Sequence, residues 1–285
     1  MSTAASTRRT RSPWRRAGTG LGLVLLTVYS LAPFYWMVVS SLRGENDILS
    51  NAPLPAAPTL ANYADVFGGN ARFLLALRNS LVIASVTTLV ALLLSVTAAY
   101  ALARLRFRGK PVVLGAVLAA AMFPGVSLVT PMFKLFSDWG LIDTYPSLIV
   151  PNLSFALPLA VWVLTSFFLD LPWGLEEAAQ IDGCSRPQAF RRVILPLAAP
   201  AIFTTTILVF ITVWNEFLVA SSMSLTSDAS PVTVAIARLA GSSQFQQPFG
   251  QQMAAGVVVC VPLVLVVLVF QRRIIAGLTA GAVKG

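Results

Sequence analysis

The stretch DLPWGLEEAAQIDGCSRPQAFRRVILPLAAP, residues 170–200, decides how the rest of the chain is read. It is amphipathic, charged and punctuated, whereas most other long segments are apolar. Its local chemistry predicts two short helices joined by a turn. Asp170 is placed to cap the first, with Pro172 in its opening positions and Glu176 and Glu177 near the positive end of the helix dipole. Asp182 and Gly183 are a turn signal. Ser185 and Gln188 have the spacing of a capping box, with Pro187 early in the second helix. Arg191 and Arg192 fall near that helix's end, and Pro196 is expected to stop it. Two readings fit these residues: an ordinary solvated loop helix, or a handle by which a partner protein works the rest of the chain.

Outward from this stretch the sequence is greasy. The chain has 285 residues, 56% of them hydrophobic and 11% charged, and a mean hydropathy of +0.78. A soluble domain carries about 25% charged residues, so this composition indicates an integral membrane protein. A bilayer core about 30 Å thick needs roughly 20 apolar residues per helix. Six runs qualify: 18–40, 79–103, 111–136, 147–169, 197–221 and 252–274. The third is the least regular, because Pro124, Gly125 and Pro131 interrupt it. The predicted class is therefore an all-α membrane protein with six transmembrane helices. A basic tail over 1–17 precedes a membrane domain over 18–276, and a short tail over 277–285 follows it. The first apolar run is too long for a signal-peptide core and lacks a clear cleavage site, so it is read as an anchor.

Basic residues set the orientation. With the N-terminus inside, 15 of the 20 Lys and Arg fall in inside segments, including Arg8, Arg9, Arg104, Arg106, Arg186, Arg191 and Lys284. Arg43, Arg72, Arg78, Lys134 and Arg238 fall outside. Both termini are thus expected in the cytoplasm, as is the loop 170–196. Three outside segments remain: 41–78, which is rich in proline, 137–146, and 222–251. The last contains GSSQFQQPFGQQ, whose Phe245 and Phe249 among glutamines suit either a contact with an external protein or sugar, or a plain solvated loop.

Several functions are excluded or disfavoured. The net charge of +9 is distributed between the apolar runs and serves orientation, so nucleic acid is not an expected partner. There is no histidine, which removes His-based acid–base chemistry and the usual zinc ligand. Cys184 and Cys260 fall in different compartments, so neither a disulfide nor a metal pair is expected. No GxxxxGK[ST] phosphate loop is present, so any ATP that drives this chain is hydrolysed on another. No cofactor is expected here.

Polar residues in the spans are the candidates for a solute path. Glu216 is the one acidic residue inside a predicted span, beside Trp214 and Asn215. A charge at mid-membrane costs about 2.5–3.5 kcal/mol on insertion scales, so such groups face a cavity or a partner. Either Asn215 and Glu216 line the path, or Glu216 makes an interhelical hydrogen bond or sits near the interface. Asn152 and Ser154, next to Phe155 and Pro158, form a second polar site where Pro158 is expected to bend or break the helix. Thr204, Thr205 and Thr206 are weaker candidates, because threonine often bonds its own helix. Tyr35, Trp36, Trp139 and Tyr145 read as interface anchors.

The run Glu177, Ala178, Ala179, three residues, Gly183, nine residues, then VILP at 193–196 resembles the EAA motif of bacterial ABC importer permeases. Val193 departs mildly from the usual Ile-x-Leu-Pro ending. The run WNEFL at 214–218 resembles a pattern of sugar-importer permeases, and GLTAGAVKG at 277–285 is similar to the tail of the maltose-type, MalG-like family. GSSQFQQP together with this tail also resembles trehalose-type importers. The resemblance implies that 170–196 is a coupling loop, with Glu176, Glu177, Ala178, Ala179, Asp182, Gly183, Leu195 and Pro196 meeting a cytoplasmic ATPase. It implies that Lys284 and Gly285 reach into the ATPase dimer, and that the loop 222–251 meets an extracellular sugar-binding lipoprotein. The implied assembly is this chain, a homologous permease and two ATPase subunits that hold ATP and Mg, in a bacterial inner membrane. The rivals are a permease for a polyamine or an amino acid, an intramembrane enzyme, and a stand-alone carrier or channel. The scarcity of charge in the spans favours a neutral, hydroxyl-rich solute, and a single intramembrane carboxylate without histidine disfavours the enzyme.

Overall fold

A computed structural model of the chain describes residues 13–48, 50–68, 71–226, 228–239 and 248–280. It is helical, with no strand among the described residues. The helices are α1 Pro13–Ser41, α2 Ala61–Gly68, α3 Ala71–Arg104, α4 Lys110–Ala121, α5 Gly125–Asp138, α6 Tyr145–Asp170, α7 Gly174–Ile181, α8 Arg186–Ala189, α9 Leu195–Leu197, α10 Ala199–Trp214, α11 Leu218–Met223, α12 Val232–Ala237 and α13 Phe249–Ala280. A 3-10 turn covers Glu45–Asp47, and a π-helical turn, Phe190–Ile194, joins α8 to α9.

The six apolar runs appear as four continuous spans and two bent pairs. Gly18–Ser41, Arg72–Arg104, Tyr145–Asp170 and Phe249–Gln271 are long and apolar enough to cross a membrane. The third run bends by 89° between α4 and α5. Pro124 is the cause: it disfavours a helical conformation at Phe123 before it, and it sits in an extended conformation as the N-cap of α5. At the start of the fifth run, Arg186–Leu197 meets α10 at 70°, where Pro200 in the first turn of α10 has no N–H to continue the earlier helix. That run also stops at Trp214, so 215–217 is a break rather than mid-helix. Pro158, expected to bend or break its helix, does not break it: α6 is continuous through it. The helix α1 already begins within the expected basic tail, at Pro13, a residue suited to a first helical turn, while its apolar span begins at Gly18. At the other end the helix α13 runs through 277–280 of the expected tail.

The bundle is built on α3 and α6, which pack along most of their length. Much of the buried stripe of α3 is small: Ala76, Ser80, Ala84, Thr87, Ala91, Ser95, Ala99 and Ala103 recur every three or four residues. Small residues let two backbones approach closely where no hydrophobic driving force separates helix from lipid. Against them α6 sets Leu148, Ala156, Ala160, Leu164 and Phe168. α10 completes the core with Val209, Val213 and Trp214. α1 packs on α13 at the periphery, and its Leu21, Leu25, Val28 and Leu31 remain about 60% exposed, as suits a surface left for lipid or partner helices.

The proline-rich segment after α1 is held closely. The buried Arg43 stacks on Trp36 at 4.9 Å and donates to the Ala52 carbonyl. Asn62 Nδ2 donates to the Ser41 and Arg43 carbonyls at 2.9 and 2.8 Å. Tyr35 donates to the Pro53 carbonyl. Tyr35 and Trp36, expected as interface anchors, therefore brace this segment.

Candidate functional site

The loop 170–196 folds as two helices and a turn, with altered ends. Asp170 closes α6 instead of capping α7, whose N-cap position is Trp173. Pro172 forces that change, since the residue before a proline avoids helical geometry and Leu171 is extended. Glu176 and Glu177 occupy the first turn of α7 as expected. The turn after α7 is at Asp182 and Gly183, where Gly183 has φ +89°, a conformation that costs an L side chain energy. The capping box is formed, with the Ser185 N–H donating to Gln188 Oε1 at 2.8 Å. Pro196 does not stop the second helix. The backbone widens into the π turn, where Leu195 N–H reaches back to the Phe190 carbonyl, and continues to Leu197. A π-turn is a common way of fitting such an irregularity into a helix.

The two glutamates are turned in opposite senses. Glu176 is buried, and its Oε1 accepts a hydrogen bond from Tyr100 Oη of α3 at 2.6 Å. Tyr100 is in turn packed between Phe168 and Phe190, at ring distances of 6.2 and 4.4 Å. Ala179 is buried as well, and Leu175 of the same helix packs against a cluster of Ala99, Ala103, Leu164, Phe168 and Ile194. Glu177 and Ala178 are exposed, as are Asp182 and Gly183, and Ile181 is 86% exposed. Leu195 is half-buried and Pro196 exposed. The loop is thus fastened to the ends of α3 and α6 through one face and leaves the other free. Tyr100 and Arg104, whose guanidinium donates to the Leu171 carbonyl at 2.6 Å and lies over Trp173 at 4.6 Å, were not singled out in the sequence. A tyrosine near a span end reads as an interface anchor, and its partner lies 76 residues away.

The polar residues of the spans separate into two places. Asn152 and Glu216 share a cavity of about 10 Å³ with Ser80, Val213 and Pro231, room for about one water. The Asn152 amide donates to the Leu148 carbonyl at 2.9 Å. Glu216 lies in the break after α10, where its carboxylate accepts from the Val219 and Ala220 N–H groups at 2.7 and 3.0 Å. Its carbonyl accepts from Thr233 at 2.9 Å. Glu216 thus caps α11 and ties it to α12. Asn215 donates to its own helix at the Ile211 carbonyl, 2.8 Å, and Trp214 is buried against Phe210 at 5.6 Å. Ser154 faces elsewhere, into an open groove of about 580 Å³ between α3, α4 and α6 with Thr97 and Val117. Residues two positions apart on a helix point about 200° apart, so Asn152 and Ser154 do not form one polar site. Phe155 lies against Gly125 at the start of α5. Thr204, Thr205 and Thr206 each donate to their own helix backbone, as expected.

At the end of the bundle away from the loop, Asn79 pins the chain after α11. Its amide donates to the Asp228 and Ser230 carbonyls at 2.9 and 3.1 Å and accepts from Tyr145 at 2.6 Å. Lys284, Gly285 and most of the glutamine-rich stretch, Phe245 included, lie outside the described residues.

A bundle of apolar spans that carries an exposed amphipathic loop at the ends of two of them has the form of a multi-pass membrane transport subunit. The chain belongs to the family of binding-protein-dependent transport system inner membrane components, which it matches over residues 71–279. It is similar to the trehalose transport system permease protein SugB of Mycobacterium tuberculosis, 48% identical over 92% of this chain and 95% of that protein. It is also similar to the trehalose/maltose transport system permease protein MalG of Thermococcus litoralis, 41% identical over 93% of this chain and 95% of that one. Among solved structures, a chain of a bacterial ABC transporter involved in the import of alginate has the same fold, with a TM-score of 0.75 at 22% identity over 92% of this chain and 98% of that one.

Proposed function

We propose that this chain is one permease half of an ATP-driven, binding-protein-dependent sugar importer of trehalose or maltose type. The observation that carries the sugar is the 48% identity with a trehalose permease over nearly the whole length. A polyamine or amino acid permease would want a free intramembrane carboxylate. The Glu216 carboxylate is already engaged by two backbone N–H groups, which disfavours that alternative.

The exposed loop face and the bias of Lys and Arg support an assignment of the working parts. Both termini and the loop 170–196 lie in the cytoplasm. Glu177, Ala178, Asp182 and Gly183 form the face offered to an ATPase subunit, while Glu176, Ala179, Leu195 and Pro196 belong to the side that transmits its movement to α3, α6 and α10. The contact with the ATPase dimer, where ATP and Mg are held, is assigned to Lys284 and Gly285. Closure of the ATPases pulls on the loop, and the bundle alternates between inward and outward access. The loop can shift that equilibrium only by binding its partner more tightly in one state than the other. Asn152, Trp214, Asn215 and Glu216 stand at the break between α10 and α11, where a path for a hydroxyl-rich solute would narrow. Ser154 and Phe155 line the other flank of α6.

Uptake is the test. The full importer, supplied to cells lacking sugar uptake of their own, is expected to accumulate labelled trehalose or maltose in a manner that needs the ATPase subunit. Uptake of putrescine or an amino acid with no uptake of sugar overturns the proposal.

A further inference from the structure

We propose that the cleft between the end of α3 and α7 is a binding site for the phosphate of an anionic phospholipid headgroup. The cleft holds about 280 Å³ and is lined by Arg104, Arg106, Trp173, Glu176, Glu177 and Arg186. A water takes about 30 Å³ of liquid, so a phosphodiester fits with its hydration. Arg104 is the last residue of one span and Trp173 stands three residues beyond the end of another. The cleft therefore lies where the spans leave the hydrocarbon, at the depth of the headgroups.

The donors are in place and unspent. Arg104 is only 4% exposed, and its Nε and Nη1 are buried without a hydrogen-bond partner. Its remaining nitrogen holds the Leu171 carbonyl, and Trp173 fixes its plane. A buried guanidinium with open N–H groups calls for an acceptor, and its fork matches a phosphate. Arg106 and Arg186 are exposed and make no hydrogen bond or ion pair among the described residues. Three guanidiniums face two carboxylates; Glu176 Oε1 accepts from Tyr100, and its Oε2 is buried without a partner among the described residues, so the cleft keeps an excess of one positive charge. Arg108 and Lys110 follow Arg106 in the chain, and Arg191 and Arg192 follow Arg186, so the surroundings are basic. Basic pockets between spans on the cytoplasmic side suit anionic lipid.

An acidic side chain of a docked ATPase is the competing occupant. Trp173 and the α7 residues Glu176, Glu177 and Gln180 line the cleft, so Glu177 stands on the rim that cleft and docking face share, whereas the highly exposed Ile181 and the turn at Asp182 and Gly183 stand outside it. The freest part of the loop therefore remains available for docking with the cleft filled by lipid.

The experiment purifies the complete importer from nanodiscs of phosphatidylcholine with phosphatidylglycerol and counts the retained phospholipid by native mass spectrometry. The wild type is expected to retain phosphatidylglycerol over phosphatidylcholine. Arg106→Gln and Arg186→Gln, both at exposed positions, are each expected to lower that retention about fivefold. Retention of phosphatidylglycerol through a wash with inorganic phosphate supports a lipid site, and its release by that wash overturns it in favour of a soluble phosphate. Equal retention by wild type and both variants overturns the proposal, and if ATPase co-purification falls instead, the cleft belongs to the docking partner.

Discussion

Tyr100→Phe isolates the contact that fastens the loop to the bundle. The substitution keeps the ring between Phe168 and Phe190 and removes only the hydroxyl that donates to Glu176 at 2.6 Å. Glu176 is 7% exposed, and its other oxygen already has no partner among the described residues, so the carboxylate is left buried without a donor. A hydrogen bond to a charged group contributes about 1.5–3 kcal/mol. A loss of about 2 kcal/mol corresponds to a change of about 30-fold in an equilibrium constant. The equilibrium concerned is the local opening of α7, which hydrogen exchange of its backbone amides reads directly. In the purified importer, amides of 174–181 are expected to exchange about 30-fold faster in Tyr100→Phe, in line with that loss. Glu177→Gln is the control, because Glu177 is exposed and makes no hydrogen bond or ion pair among the described residues. It should leave exchange within about twofold of wild type while weakening the hold on the ATPase. Unchanged exchange in Tyr100→Phe would show that α7 is held by its apolar contacts alone and refute the role given to Glu176.

Gly183→Ala meets no atom within 4 Å of the new Cβ, so its effect is the backbone strain of φ +89°, about 1–2 kcal/mol. A lower thermal midpoint and weaker sugar-stimulated ATPase activity are expected in the reconstituted importer. Gly250→Ala places a Cβ 2.5 Å from Asn62 Oδ1, and Asn62 is held by two carbonyls and cannot easily yield. A cost of about 1–3 kcal/mol should appear as faster limited proteolysis within 44–60. Asn79→Ala removes the bonds to Asp228, Ser230 and Tyr145, a loss of about 2–4 kcal/mol. Increased cleavage within 224–239 is the expected readout.

Hydropathy made the spans legible because each must cover its own backbone in lipid, whatever it packs against. The runs 18–40 and 147–169 match helices at Gly18–Ser41 and Tyr145–Asp170 closely. The breaks at Pro124, at Pro200 and after Trp214 were harder, since the same proline signal at Pro158 is absorbed inside α6. Whether a proline breaks a span depends on the neighbours packed around it, and composition does not carry that. In the loop, turn and cap chemistry is local, so Gly183 and the Ser185–Gln188 box were readable. The opposite facing of Glu176 and Glu177 was not, because it is set by Tyr100, far away in sequence. Glu216 stood out by composition alone, but its task as the cap of α11 appears only once the helix is seen to end at Trp214.

The most direct measurement is co-purification and sugar-stimulated ATPase activity of the tagged chain from its own host, beside Glu177→Lys and Gly183→Asp. The native chain should bring down an ATPase subunit and a second permease, and both variants should lose the ATPase or its stimulation by sugar. A chain that purifies alone, or variants that behave as wild type, would contradict the assignment of 170–196 as the coupling loop and point to a carrier that works without a partner.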